Sequence, residues 1–165
     1  MEEEGSVTGH AVLNTIISYL ESPIPKIKAM AVEGLTKLLL MNRVPHCESI
    51  VARLMLCFFE PEGTPEVKQC LHVFFTYYSS LSQSNCNYLT ISSKLVLGLF
   101  ADYIKNLESK SQSRMDFRHL CLKKIFTFVF CYTSPLYLAE HGKFEVTSSS
   151  HLDLYYYLTL SLMRN

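Results

Sequence analysis

The sequence predicts an all-α, helical-repeat fold built from antiparallel helix pairs, and three observations predict it. Along Lys26–Met41 the apolar residues fall at Ile27, Met30, Ala31, Leu35, Leu38 and Leu39. Steps of three and four are the spacing of one helix face. Only six Gly and six Pro occur in 165 residues, which leaves room for long uninterrupted helices. The pattern also returns: Ile27-Lys28 is matched by Val67-Lys68, an offset of 40 residues.

The elements follow in order. Residues 1–8 read as a flexible acidic tail, opening Met1-Glu2-Glu3-Glu4. Residues 9–165 read as one domain. A first helix runs about His10 to Leu20, with Leu13, Ile16, Ile17 and Leu20 on one face. The turn Glu21-Ser22-Pro23-Ile24-Pro25 leads into the Lys26–Met41 helix. Pro25 suits a first helical position, where its missing N–H costs nothing. With small residues Ala29, Ala31 and Gly34 on this second helix, the antiparallel pair looks like a helical repeat unit. It ends near Asn42, a residue that tolerates the left-handed conformation found at helix ends. The second pair comprises about Cys47 to Phe58 and Pro65 to Leu81, joined by a breaker-rich turn that includes Pro61 and Gly63. Thr64 is placed to cap the latter helix and Pro65 to begin it. Its face is Val67, Cys70, Leu71, Phe74, Phe75 and Tyr78.

A period of about 40 residues with two helices per unit falls in the HEAT or armadillo range. The repeats are about 9–42, 44–82 and 88–134. In the third, Ser82–Asn87 reads as a polar linker, and Ile91, Leu95, Leu99, Tyr103 and Ile104 form the apolar face of the next helix. Asp116 to Tyr132 follows, then a turn near Leu136 to Ala139, then a terminal helix over 151–164. The expectation is a HEAT-like α-solenoid of about seven helices.

Composition narrows the function classes. Lys plus Arg and Asp plus Glu are 15 each, so the formal net charge is zero; a domain that holds nucleic acid alone usually carries a basic excess. None of the six cysteines forms a Cys-x-x-Cys pair, which argues against a zinc ribbon or a thioredoxin-like site. Cys57, Cys70, Cys121 and Cys131 lie in apolar runs and read as small hydrophobes in a reducing compartment. The acidic start lacks a secretory pattern. The apolar run from Ile125 to Ala139 is broken by Ser134-Pro135 and is shorter than the roughly 20 residues a membrane span needs. Cys47 beside His46, and His119 near Cys121, are too few for a zinc site, which takes three or four converging ligands. The sequence holds no Gly-rich phosphate loop, Gly-x-Ser-x-Gly or His-Glu-x-x-His. Neither a metal, a cofactor nor an enzymatic activity is expected.

Ten Phe and ten Tyr exceed what the helix stripes need. Tyr77 or Tyr78, and some of Tyr155 to Tyr157, should therefore lie off the buried face, which makes Tyr77, Tyr78, Tyr155 and Tyr156 candidate partner contacts. Such a band is either a partner groove or an end that another repeat would cover.

Three blocks then carry a resemblance. Ala31-Val32-Glu33-Gly34-Leu35-Thr36-Lys37-Leu38-Leu39, Arg53-Leu54-Met55-Leu56 through Phe59-Glu60-Pro61-Glu62, and Gln69-Cys70-Leu71-His72-Val73-Phe74-Phe75 occur in order. Over about residues 20–87 the chain resembles the C-terminal half of the condensin G subunit family, HEAT-repeat non-SMC subunits of condensin. The family's proteins are several times longer, so the resemblance implies a fragment, a truncated product or a short relative. It implies a non-catalytic subunit that binds kleisin and, beside the SMC subunits, helps hold DNA during mitotic chromosome condensation. It implies the nucleus and chromosomes, with a cytoplasmic pool. The DNA-facing groove of such subunits uses Lys and Arg, which makes Lys26, Lys28, Lys37, Arg43, Arg53 and Lys68 candidate phosphate contacts; aligned lysines such as Lys28 and Lys68 could form a stripe. A HEAT scaffold of another assembly, such as transport machinery, is the alternative.

Overall fold

A computed structural model describes residues 2–44, 47–60, 63–107, 124–125, 127–141, 152 and 154–157. Every regular element among the described residues is helical, as the sequence predicts. In order these are α1 (Glu2–Ser18), a 3-10 turn (Tyr19–Glu21), α2 (Pro25–Leu40), α3 (Glu48–Phe59), α4 (Pro65–Leu81) and α5 (Gln83–Leu107). Helical residues 124–125 and 127–133 follow as α6, then α7 (Pro135–His141) and a short helical stretch at 154–157. The start of the helix expected from Asp116, and most of the 151–164 helix, lie outside the described residues. The chain divides into two compact units, Met1–Phe74 and Phe75–Asn165.

Within Met1–Phe74, α2 packs against α1 and the 3-10 turn, and α3 packs on that turn. The core is aliphatic: Val32, Leu35, Val51, Leu54, Met55 and Leu71 are wholly buried. Local signals in the sequence hold. Pro25 opens α2, and Asn42, at φ 53°, closes it. The Arg43 N–H donates to the Leu38 carbonyl at 2.9 Å and the Asn42 N–H to the Leu39 carbonyl at 3.0 Å. That pair of bonds is a Schellman motif, which needs one left-handed residue and finds it in Asn42. Thr64 caps α4, its hydroxyl receiving the Val67 N–H at 3.5 Å.

Several expectations are corrected. The stretch assigned to a tail is helical from Glu2 onward, as the first turns of α1. On α2 the buried stripe is Ala31, Val32, Leu35, Thr36 and Leu39, while Met30 is 66% exposed. Thr36 fits inside because its hydroxyl donates to the Glu33 carbonyl at 3.0 Å and sits 3.8 Å from Cys70 Sγ. Gly34 is not a close-approach residue, since a Cβ there would meet nothing within 4 Å. Gly63 is one: its Cβ would lie 3.2 Å from the Glu60 carbonyl and 3.2 Å from Lys68 Cε.

The remaining corrections lie in Phe75–Asn165. The expected polar linker is helix. Only Ser82 separates α4 from α5. Its hydroxyl receives the Asn85 N–H at 3.1 Å, a cap that starts α5 at once. The face of α5 also differs. Ile91 and Leu95 are exposed, whereas Leu89, Thr90, Ser92, Ser93 and Val96 are buried. The buried hydroxyls are satisfied within the helix, Ser92 by the Tyr88 carbonyl and Ser93 by that of Leu89, each at 2.6 Å. Cys131, read as a small hydrophobe, is exposed on α6.

Candidate functional site

The six candidate cations lie on Met1–Phe74, on elements that give each a different fate. Lys28 is in phase with Val32, Leu35 and Leu39, so its stem follows the packed face of α2. Its ammonium meets the Glu60 carboxylate at the end of α3, and its side chain is only 18% exposed. Lys37 points the other way. It donates to Glu33 at 2.6 Å, one helical turn back. That bond holds the Glu33 carboxyl below its ordinary value and pushes the Lys37 ammonium up. Arg53 on α3 donates to Glu21 in the 3-10 turn at 2.6 Å. Lys68 is half-buried, its stem lying over Gly63.

Lys26 and Arg43 are exposed, and no ion pair holds either among the described residues. Lys26 lies in the first turn of α2 and Arg43 just past its end, about 25 Å apart at 1.5 Å per residue. The fold therefore does not gather the six into one patch. Three already face carboxylates, and two stand a helix length apart.

The aromatic candidates lie on Phe75–Asn165. Tyr77, Tyr155 and Tyr156 are 59%, 56% and 63% exposed. Tyr78 is 1% exposed and belongs to the core, one helical step from Tyr77 on the opposite side of α4. Leu154 is wholly buried. Tyr157 is pinned to α5: its hydroxyl donates to the Lys94 carbonyl at 3.5 Å and the Lys94 ammonium lies 5.7 Å from its ring centre. With 154 and 157 held inward, the helix turns Tyr155 and Tyr156 to solvent. Their rings stand 6.3 Å apart at 74°.

The same unit carries an aromatic ladder that the sequence reading missed. Phe75 meets Phe128 at 5.0 Å, Phe128 meets Tyr132 at 4.8 Å, and Tyr132 meets Tyr137 at 5.3 Å, all edge to face. His141 stacks on Tyr137 at 4.5 Å. The Tyr137 hydroxyl donates to the Thr76 carbonyl at 2.7 Å, and the Tyr132 hydroxyl lies 3.2 Å from Thr76 Oγ1. Burial, then the neighbouring phenols of Tyr132 and Tyr77, push the Tyr137 hydroxyl up. The available signal was the i, i+4 spacing of Phe128 with Tyr132 and of Tyr137 with His141. The ladder ties α4, α6 and α7 together beneath Tyr77.

These surfaces offer charge and aromatic area. Burial pushes the Cys86 thiol up to about 11, which leaves it protonated and unreactive at neutral pH. Among the described residues no three His, Cys, Asp or Glu side chains converge on a metal position. No helix among them is long and apolar enough to cross a membrane.

A family model described as nuclear condensing complex subunits, C-terminal domain, matches residues 1–164. This reaches well beyond the 20–87 stretch that carries the motifs. The chain is also similar to human condensin complex subunit 3, with 30% identity over 86 residues, covering 51% of this chain and 8% of that protein. No solved structure matches.

Proposed function

The chain belongs to the nuclear condensing complex subunit family, in its C-terminal domain, and from that premise we propose that it serves as a non-catalytic part of a condensin assembly. In this reading its helix pairs are HEAT-type repeats that bind a kleisin. Beside the SMC subunits they help hold DNA during mitotic chromosome condensation, in the nucleus and on chromosomes. The observation that carries the reading is the family match over residues 1–164. The chain spans about a twelfth of the human relative, 8% of its length, so this role is proposed for the segment and its assembly together.

Within that role, the aromatic surface suits a kleisin segment, with Tyr77, Tyr155 and Tyr156 as contacts; Tyr78 contributes packing. Lys26 and Arg43 are the favoured phosphate contacts. Lys28, Lys37 and Arg53 reach phosphate only by exchanging a carboxylate for it. Lys68 is a further candidate beside Lys28.

Recovery of the endogenous chain with SMC subunits and a kleisin is the expected outcome of affinity purification from cells. Recovery with transport receptors or coat proteins would overturn the proposal and favour a scaffold of another assembly. For the DNA part, Lys26→Glu with Arg43→Glu should weaken DNA binding by the recovered assembly more than Lys28→Glu does. The reverse order would remove the two residues from the interface.

A further inference from the structure

The buried hydroxyls of Phe75–Asn165 are answered by their own helices. Ser80 donates to the Tyr77 carbonyl at 2.8 Å, Thr90 to Cys86 at 3.0 Å and Thr133 to Val129 at 2.8 Å. Ser92 and Ser93 do the same. Ser79 breaks the pattern. It is 0% exposed, and its Oγ has no hydrogen-bond partner in the protein. Native interiors leave few such groups, because a desolvated hydroxyl without a partner is costly.

The position of Ser79 says what answers it. It stands three residues before Ser82, at the elbow where α4 passes into α5. Ser82 there takes the Asn85 N–H on its hydroxyl and the Cys86 N–H on its carbonyl, both at 3.1 Å. Gln83 Nε2 donates to Asn87 Oδ1 at 3.0 Å. The elbow is polar and buried on one side, with Asn85 at 9% and Cys86 at 1% exposure while Ser84 and Asn87 face solvent. Residues 79–87 carry no charged side chain, so an ion would find no counter-charge among them. An apolar ligand would leave the hydroxyl unanswered.

We propose that one ordered water binds Ser79 Oγ at the α4–α5 elbow. Water both donates and accepts, and buried waters of this kind occur roughly once per 27 residues in folded proteins. The competing arrangement turns the hydroxyl onto the Phe75 carbonyl, four residues back, as Ser93 turns onto Leu89.

Two measurements decide between them. A crystal structure of the full chain at a resolution that shows waters should place one about 2.5–3.0 Å from Ser79 Oγ. A hydroxyl rotated onto the Phe75 carbonyl, with no water beside it, overturns the proposal. In solution, oxygen-17 relaxation dispersion counts long-lived internal waters. Ser79→Ala should lose one relative to the unsubstituted chain, and Ser80→Ala, whose hydroxyl already has the Tyr77 carbonyl, should lose none. Equal counts in all three proteins overturn it.

Discussion

The two compact units bury different chemistry. In Met1–Phe74 the core is mainly aliphatic, with Phe74 at its edge in sequence, and among the described residues Thr36 is its one buried polar side chain. In Phe75–Asn165 the buried set includes Ser79, Ser80, Asn85, Thr90, Ser92, Ser93 and Thr133 beside the large rings of Phe75 and Tyr78. The first unit draws its stability from apolar area removed from water. The second combines ring packing with hydroxyls that, Ser79 apart, stay inside by bonding to the preceding turn of helix. A buried residue and an apolar residue are thus nearly the same thing in one unit and not in the other.

The sharpest way to break this comparison is to delete one buried side chain from each unit. Leu54→Ala should cost about 2–5 kcal/mol, transfer and cavity together. Ser93→Ala should cost about 1 kcal/mol or less, since only a bond back to its own helix is lost. Urea denaturation of both variants gives the answer, and a larger loss for Ser93→Ala would show that the hydroxyl face bears the load. Next comes the left-handed position that closes α2. Asn42→Val forces a β-branched residue to φ 53° and should cost about 1–2 kcal/mol, whereas Asn42→Gly should be tolerated in the same thermal melt. Gly34→Ala should stabilise by about 1 kcal/mol, because its Cβ would enter open space; a lowered melting temperature would mean that α2 packs more closely there than its geometry indicates.

A pH titration sharpens the contrast further. The Cys86 thiol, pushed up to about 11 by burial, stays neutral in the fold while an exposed thiol ionises nearer 9. Stability is therefore full below about pH 9 and declines as pH rises toward 11, since the unfolded chain loses that proton first. Iodoacetamide near neutral pH should label Cys131 long before Cys86, and equal rates would contradict the burial. The smallest effect belongs to Lys37→Ala, which removes the exposed, solvent-screened pair with Glu33; its thermal melt should shift the least of these variants, and less still at high salt.

The same contrast explains what could be read from the sequence. The helices α2, α3 and α4, the Asn42 stop and the Thr64-Pro65 start were legible, because each rests on backbone chemistry local to a few residues. Apolar spacing found the core of the first unit, apart from a rotation of α2 that buries Val32 and Thr36 and exposes Met30. On α5 the reading failed. Ile91 and Leu95 have helical spacing, and Ser92 and Ser93 look like a solvated face until their bonds to Tyr88 and Leu89 are seen. Of the candidate site, the excess of aromatics implied that Tyr77 or Tyr78 is exposed, and the structure assigns exposure to Tyr77. The Lys28–Glu60 pair did not, because it joins residues 32 apart in sequence.

The hydroxyl face of α5 also bears on how that helix opens. Separating Ser92 and Ser93 from their neighbours uncovers little apolar surface, and their bonds travel with the helix. Heat capacity and denaturant sensitivity both scale with the surface uncovered. Hydrogen exchange at the amides of residues 90–93 should then respond only weakly to added urea. The aliphatic turns of α3, around Val51 to Met55, should respond steeply.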